Sequence, residues 1–250
     1  MSGLPSVITL PTAWRWFHLF STRAALTMLL ASGLLSIACS PPRPDEERYL
    51  QQLIEDREIK DQEFSGPNSI VPLDRRSWMV PLRYYEPDIA YRVPAQLNVG
   101  EEQPTFEIPT STGQLRTVRR VGTLEFVLQG EPMTLAALVE IPTQTSEQLF
   151  VPFRDETSGT ETYPAGRYLD LPSTRTGIYD LDFNRAYHPY CYFSEEYECP
   201  FPPPENRLVT TIRAGERLPP EDEQRFPLIP KTQDETEIQE TSGGGAPDGD

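Results

Sequence analysis

Two neighbouring runs constrain the fold more than any other part of the chain. Residues 122–128 alternate, with Leu124, Phe126 and Leu128 on one face, and residues 133–141 alternate again through Met133, Leu135, Ala137, Val139 and Ile141. A period of two is that of an extended strand with one buried side, and Gly130 and Pro132 between the runs mark a turn. Together they predict a β-hairpin. Shorter strand-like runs are expected at 83–85, 91–97, 149–153, 166–171, 178–183 and 208–213. About eight strands, 27 prolines and no second helical pattern predict a mainly β domain, an antiparallel β-sandwich or barrel-like fold.

One helix is expected, over 45–62. Pro44-Asp45 opens it, Glu46 and Glu47 suit its positive end, and Leu50, Leu53 and Ile54 share a face that packs on the domain. Residues 65–72 read as a turn region. The domain is expected over 45–218, followed by a disordered acidic tail over 219–250, rich in Pro, Glu, Asp, Gln and Gly. No internal repeat is visible.

The first 38 residues have a different character. They carry Arg15 and Arg23 and no acidic residue, and 24–38 is uncharged. A run of about fifteen apolar residues is short for a bilayer span but suits the apolar core of a signal peptide. Cys39 follows Leu35-Ser36-Ile37-Ala38, which resembles the lipidation site of bacterial lipoproteins, although Ser36 replaces the usual aliphatic residue. The expectation is a signal peptide over 1–38, a lipidated Cys39, and a tether over 39–44. Plain secretion and an uncleaved anchor are the alternatives. Ser40 resembles the pattern sorted to the outer membrane, so the domain is expected on that membrane, facing the periplasm.

A formal net charge of −16 disfavours nucleic acid and anionic lipid surfaces as partners, so membrane contact must come through the lipid anchor at Cys39. Lys60 and Lys231 are the only lysines, a composition that fits either a salt-adapted source or a GC-rich genome. Cys191 and Cys199 are close in sequence, and an oxidising compartment predicts a disulfide between them.

Removal of the signal peptide takes His18 and leaves His188 as the only histidine. That excludes a His-rich zinc site and leaves little material for a Ser-His-Asp triad. His188, Cys191 and Cys199 offer three zinc ligands where structural zinc takes four, and a thiolate activated by His188 would need the disulfide absent. Thr157-Ser158-Gly159 lacks the glycine-rich turn and the lysine of a phosphate loop. No cofactor is expected.

The densest motifs are FRDETSGTETYPAGRYLDL at 153–171, DLDFNRAYHPYCYFSEEYECPFPPPENRL at 180–208 and RAGE at 213–216. With PLDRRSWMVPLRYYEPDIAYRVPAQL at 72–97, they resemble the family called domain of unknown function 1684, over residues 72–216. The resemblance implies a fold family and no established activity. It departs at His188, where the family usually has Asn.

Within these motifs Asp180, Asp182 and Asn184 are expected on one side of a strand, with Leu181 and Phe183 on the other. Arg154, Asp155, Tyr163 and Arg167, joined by Asp182, Asn184, Arg185, Asn206 and Arg207, are the candidate ligand-binding residues; converging arginines would make an anion pocket. The alternative is a polar network of Arg–carboxylate pairs that pins a Pro-rich loop. The tri-proline run at 202–204 reads as a rigid spacer. The expected function is a non-enzymatic module binding a small anionic ligand or an envelope component. A hydrolase or isomerase using Asp155 or Asp182 without histidine, and a purely structural envelope partner protein, are the other readings. No catalytic residue is assigned.

Overall fold

The computed structural model describes residues 43–141 and 148–220. The expected signal peptide, Cys39, most of the tether and the acidic tail from 221 onward lie outside the described residues. Two helices come first, α1 (Pro44–Ser65) and α2 (Leu73–Met79). Seven strands follow: β1 (Arg92–Val99), β2 (Thr105–Pro109), β3 (Leu115–Leu128), β4 (Glu131–Glu140), β5 (Gln148–Phe153), β6 (Arg167–Pro172) and β7 (Ile178–Asp182). A four-residue helix, α3 (Tyr190–Phe193), closes the set.

The strands form one antiparallel sheet in the order β6-β5-β4-β3-β1-β7, with β2 also paired to β3. The chain just after β7 returns to β6, where Tyr168 pairs with Tyr187, so the sheet is nearly closed into a barrel. The expected mainly β fold is therefore the observed one.

The β3–β4 hairpin is the spine, and its register places Leu124 opposite Leu135 and Phe126 opposite Met133. The alternation in the sequence is the alternation of the barrel: Leu124, Phe126, Leu128, Leu135, Ala137 and Val139 join the interior core. β3 is longer than expected, because its polar first half pairs with β2 on the same edge that its second half offers to β1. A bulge between Arg120 and Gly122 makes the bend between the halves. Gly122 is needed there: a Cβ would collide with the carbonyl of Asn98 on β1.

The interior is filled from β1, β3–β7 and the C-terminal segment. Phe153 and Phe183 meet at 5.4 Å, and Leu208, Ile212 and Ala214 enter from the end of the domain. Each fully buried Leu, Ile or Phe contributes on the order of 1.5–3 kcal/mol.

Four local expectations are corrected. Residues 208–213 form no strand. Their backbone groups bond to side chains and to a neighbouring turn instead: Leu208 N–H reaches the Arg154 carbonyl, Ile212 N–H reaches Asp155, and Arg167 binds the Ile212 carbonyl. Residues 83–85 make only a single bridge, Tyr84 to Glu216. Helices beyond the first do exist, but α2 and α3 are too short to show a period. On α1 the buried residues are Tyr49, Leu53 and Phe64, whereas Ile54 is 48% exposed.

The docking of α1 is largely polar. Tyr49 donates to Asp182 at 2.7 Å, Arg57 donates to the carbonyls of Tyr85 and Asn184, Lys60 pairs with Glu216 at 2.6 Å, and Asp61 accepts from Leu82 N–H.

Candidate functional site

The nine ligand-binding candidates do not form one pocket. Arg167 has no exposed surface at all. Its position on β6 follows from the parity of the strand, since Leu169 and Leu171 also point inward. Its guanidinium donates to the carbonyls of Ala214 (2.5 Å), Ile212 (2.8 Å) and Glu216 (3.2 Å), and to Asp155 at 3.3 Å. Asp155 accepts in addition from the Thr157 hydroxyl and from Ile212 N–H. The pair ties the extended C-terminal segment to the barrel, and its acceptors are backbone atoms rather than open space.

Asp182 and Asn184 are buried beside α1. Asp182 accepts from Tyr49, Asn184 and Arg185, while Asn184 exchanges bonds with the backbone of Asp88. The expected shared face of Asp180, Asp182 and Asn184 breaks here. Asp180 is exposed and paired to Arg92 at 2.6 Å, and β7 ends at Asp182, where a 3-10 turn begins. Arg185 is exposed and pairs with Asp56 of α1. Asn206 is buried and serves as backbone for its neighbours, bonding both polar groups of Ala136 and the carbonyl of Pro152. Arg154 and Arg207 meet through their backbones, and the Arg207 side chain is exposed. Tyr163 is buried, and its N–H donates to His188 Nε2.

Cys191 and Cys199 lie together behind Tyr163 and Tyr168, both buried and present as free thiols rather than the expected disulfide; the Cys191 N–H donates to Cys199 Sγ at 3.0 Å. No metal-holding group of three His, Cys, Asp or Glu side chains occurs among the described residues.

A concave feature of the domain lies elsewhere, on the outer face of β4, β5 and β6. It is a cleft of about 480 Å³. None of the nine candidates lines it. Its floor follows from strand parity: Phe150 stands opposite Asp170 and next to Leu138, while Leu149, Leu169 and Leu171 point inward. Its wall is the segment 187–200, which supplies Tyr187, Tyr190, Tyr197 and Glu198. Arg116 of β3 and Glu140 of β4 complete the rim.

The wall is held at both ends. Tyr187 exchanges backbone bonds with Tyr168, the Tyr168 hydroxyl donates to the Pro200 carbonyl at 2.5 Å, and Ser111 bonds Cys199. Its rings pack edge to face, Phe150 on Tyr168 at 4.8 Å, Tyr168 on Tyr187 at 5.8 Å and Tyr190 on Tyr197 at 5.3 Å. Such contacts fix the aromatic surfaces before any ligand arrives.

The polar groups of the cleft have distinct partners. Asp170 accepts from the Tyr187 hydroxyl at 2.7 Å. Asp170 is exposed at the cleft surface, yet the protein packed around its carboxyl pushes it above the usual range, and the Tyr187 bond and the Lys60 charge oppose that push only in part. Burial likewise raises the Tyr187 phenol, so it stays a neutral donor. Glu198 is held below the ordinary carboxylate range by Arg116 at 3.0 Å and by the Thr112 hydroxyl. Arg116 also meets Glu140 at 3.4 Å.

Known proteins add family and no chemistry. The family described as protein of unknown function (DUF1684) matches residues 80–217, which contain every residue of the cleft. The solution NMR structure of an uncharacterised protein from Haloarcula marismortui is similar at 38% identity, with a TM-score of 0.56, over 70% of this chain and 96% of that one. No curated protein matches.

Proposed function

Since the chain belongs to the domain of unknown function 1684 family, whose name carries no chemistry, we propose its function from the cleft: it is a non-enzymatic binding module that holds a small ligand against Tyr187, Tyr190 and Tyr197. The observation that carries this reading is an aromatic cleft of about 480 Å³ with a few placed polar groups, the usual make-up of a small-molecule site. Two of the four arginines behind the expected anionic ligand are engaged within the protein, as is Arg116 of the cleft. Arg167 is fully buried, with its terminal nitrogens donating to carbonyls and Asp155, Arg185 faces Asp56 and Asp182, and Arg116 faces two glutamates. Asp155 and Asp182, the acid–base candidates, are likewise engaged inside the fold.

A fragment screen read by amide NMR on the purified protein tests the reading. Fragments that shift the amides of residues 168–170 and 187–198, and lose that effect in Tyr190→Ala, support it. A screen whose shifts avoid the cleft refutes it. Tyr190 is a safe probe because it is 45% exposed.

The module acts, on the same proposal, as a lipoprotein of the outer membrane, anchored through Cys39 and facing the periplasm. The support is the apolar run at 24–38 ending at Cys39. Metabolic labelling with an alkyne-bearing palmitate should mark the wild type and not Cys39→Ala. Equal labelling would remove the anchor.

A further inference from the structure

We propose that the cleft selects an organic cation, a small free alkylammonium compound, with Asp170 as its counter-charge and the rings of Tyr187, Tyr190 and Tyr197 as its walls. This rests on the cleft being the ligand site, as above.

The balance of charge points to it. One arginine and three carboxylates line the cleft: Arg116 against Glu140, Asp170 and Glu198. The guanidinium is shared by the two glutamates. Asp170 therefore remains without an ion-pair partner among the described residues, its one hydrogen bond coming from a neutral phenol. Lys60 lies near, 5.0 Å from the centre of the Tyr187 ring, but its ion pair is with Glu216. Asp170 is exposed to the cleft, and with the one arginine shared by two glutamates the lining keeps a net negative charge, which attracts a cation and repels an anion.

The walls fit the same chemistry. Phenol rings offer negative faces, and an alkylated ammonium is large, weakly hydrated and apolar at its rim, so it gains from ring contact what a small inorganic cation does not. The contact of Lys60 with Tyr187 shows an ammonium already held in this way at the edge of the same cluster. The edge-to-face packing of Tyr190 on Tyr197 fixes part of the wall in advance.

The experiment titrates the purified protein with choline and with its uncharged carbon isostere, dimethylbutanol, following amide shifts in the cleft and heat by calorimetry. Choline is expected to shift the amides of residues 168–170 and 187–198 and to bind about tenfold more tightly than the isostere. Asp170→Asn keeps the acceptor for Tyr187, and should bring the two ligands within about twofold while the melting temperature holds. If that variant fails to fold, Tyr190→Leu on the exposed wall tests the ring contribution alone and should weaken choline more than the isostere. Equal binding of choline and isostere would overturn the cation inference and leave the cleft standing. Choline without effect, where screening fragments do shift the cleft, would overturn it in the same way. Neither choline nor any fragment at the cleft would overturn both.

Discussion

Arg167→Met is the most informative single change, because it separates a tie inside the fold from a ligand site. Methionine keeps most of the apolar stem, which runs beside Phe153, with the guanidinium carbon 5.3 Å from that ring. What disappears is the donor set to Ile212, Ala214, Glu216 and Asp155. Individual charged hydrogen bonds contribute about 1.5–3 kcal/mol each, but the acceptors share one guanidinium and their losses do not add. The closer comparison is removal of one partner from a buried ion pair, which costs about 3–5 kcal/mol because the other charge is left without compensation. Asp155 keeps Thr157 and Ile212 N–H, which limits the loss to that range rather than beyond it. In a domain of this size the melting temperature should fall by roughly 6–20 °C. Arg167→Lys should recover only part, since a point charge cannot span the carbonyls that the planar fork reaches. Urea unfolding followed by circular dichroism, with hydrogen exchange at Ile212 and Glu216, reads both effects. A loss under about 1 kcal/mol, or exchange unchanged at those amides, would refute the tie. Choline binding impaired in a variant that melts normally would make Arg167 a ligand residue after all.

Two further outcomes follow from buried groups. His188 is held well below its ordinary pKa, first by burial and then by Arg167 and Lys60, so the folded state keeps it neutral. The unfolded chain takes up that proton below about pH 6.5, so stability should decline as pH falls beneath that value, by up to about 1.4 kcal/mol per unit. Urea midpoints for wild type and His188→Asn should diverge below pH 6.5 and run parallel above it, and parallel lines throughout would exclude His188 as the cause. Cys191 and Cys199 should oxidise to a disulfide with glutathione disulfide, giving a mass two hydrogens lighter and a gain of about 2–3 kcal/mol. Two fully reactive thiols after that treatment would exclude the bridge.

Much of the barrel was legible because its strands are buried on one face, and burial of one face writes a period of two. The β3–β4 hairpin is the clearest case. β2 was silent because Ile108 is its one buried residue. Residues 208–213 carried a strand-like pattern for a different reason: Leu208 and Ile212 do point into the core, but their backbone meets side chains, and no sequence pattern distinguishes the two. On α1 Leu53 is buried as expected, but Ile54 is left in solvent, because the helix docks largely through Tyr49, Arg57 and Lys60. The motif density at 153–171 and 180–208 marked important residues without marking their direction. Direction was nevertheless available for β6. If Leu169 and Leu171 face the core, Arg167 must join them, and Tyr168 and Asp170 must face out. The same parity on β5 puts Phe150 beside Asp170. Reading those two strands together would have located the floor of the cleft, whereas its wall depends on how the segment 187–200 folds back, which no local pattern sets.

Gly215 has a consequence for the order in which the domain is made. Its φ is +77°, and a Cβ there would strike the carbonyls of Ala186 and Phe183, so only glycine lets the chain run this close to residues 183–186. The residues flanking it supply the acceptors for Arg167, the partner of Lys60 and the hydrogen bond to the His188 N–H. The groups they satisfy belong to segments synthesised long before. Until residues 212–216 arrive, the Arg167 guanidinium and the Asp155 carboxylate lack these backbone counterparts. The interior is locked by residues 212–216, which lie beyond every strand of the barrel, so the lock can close only once all seven strands have been made.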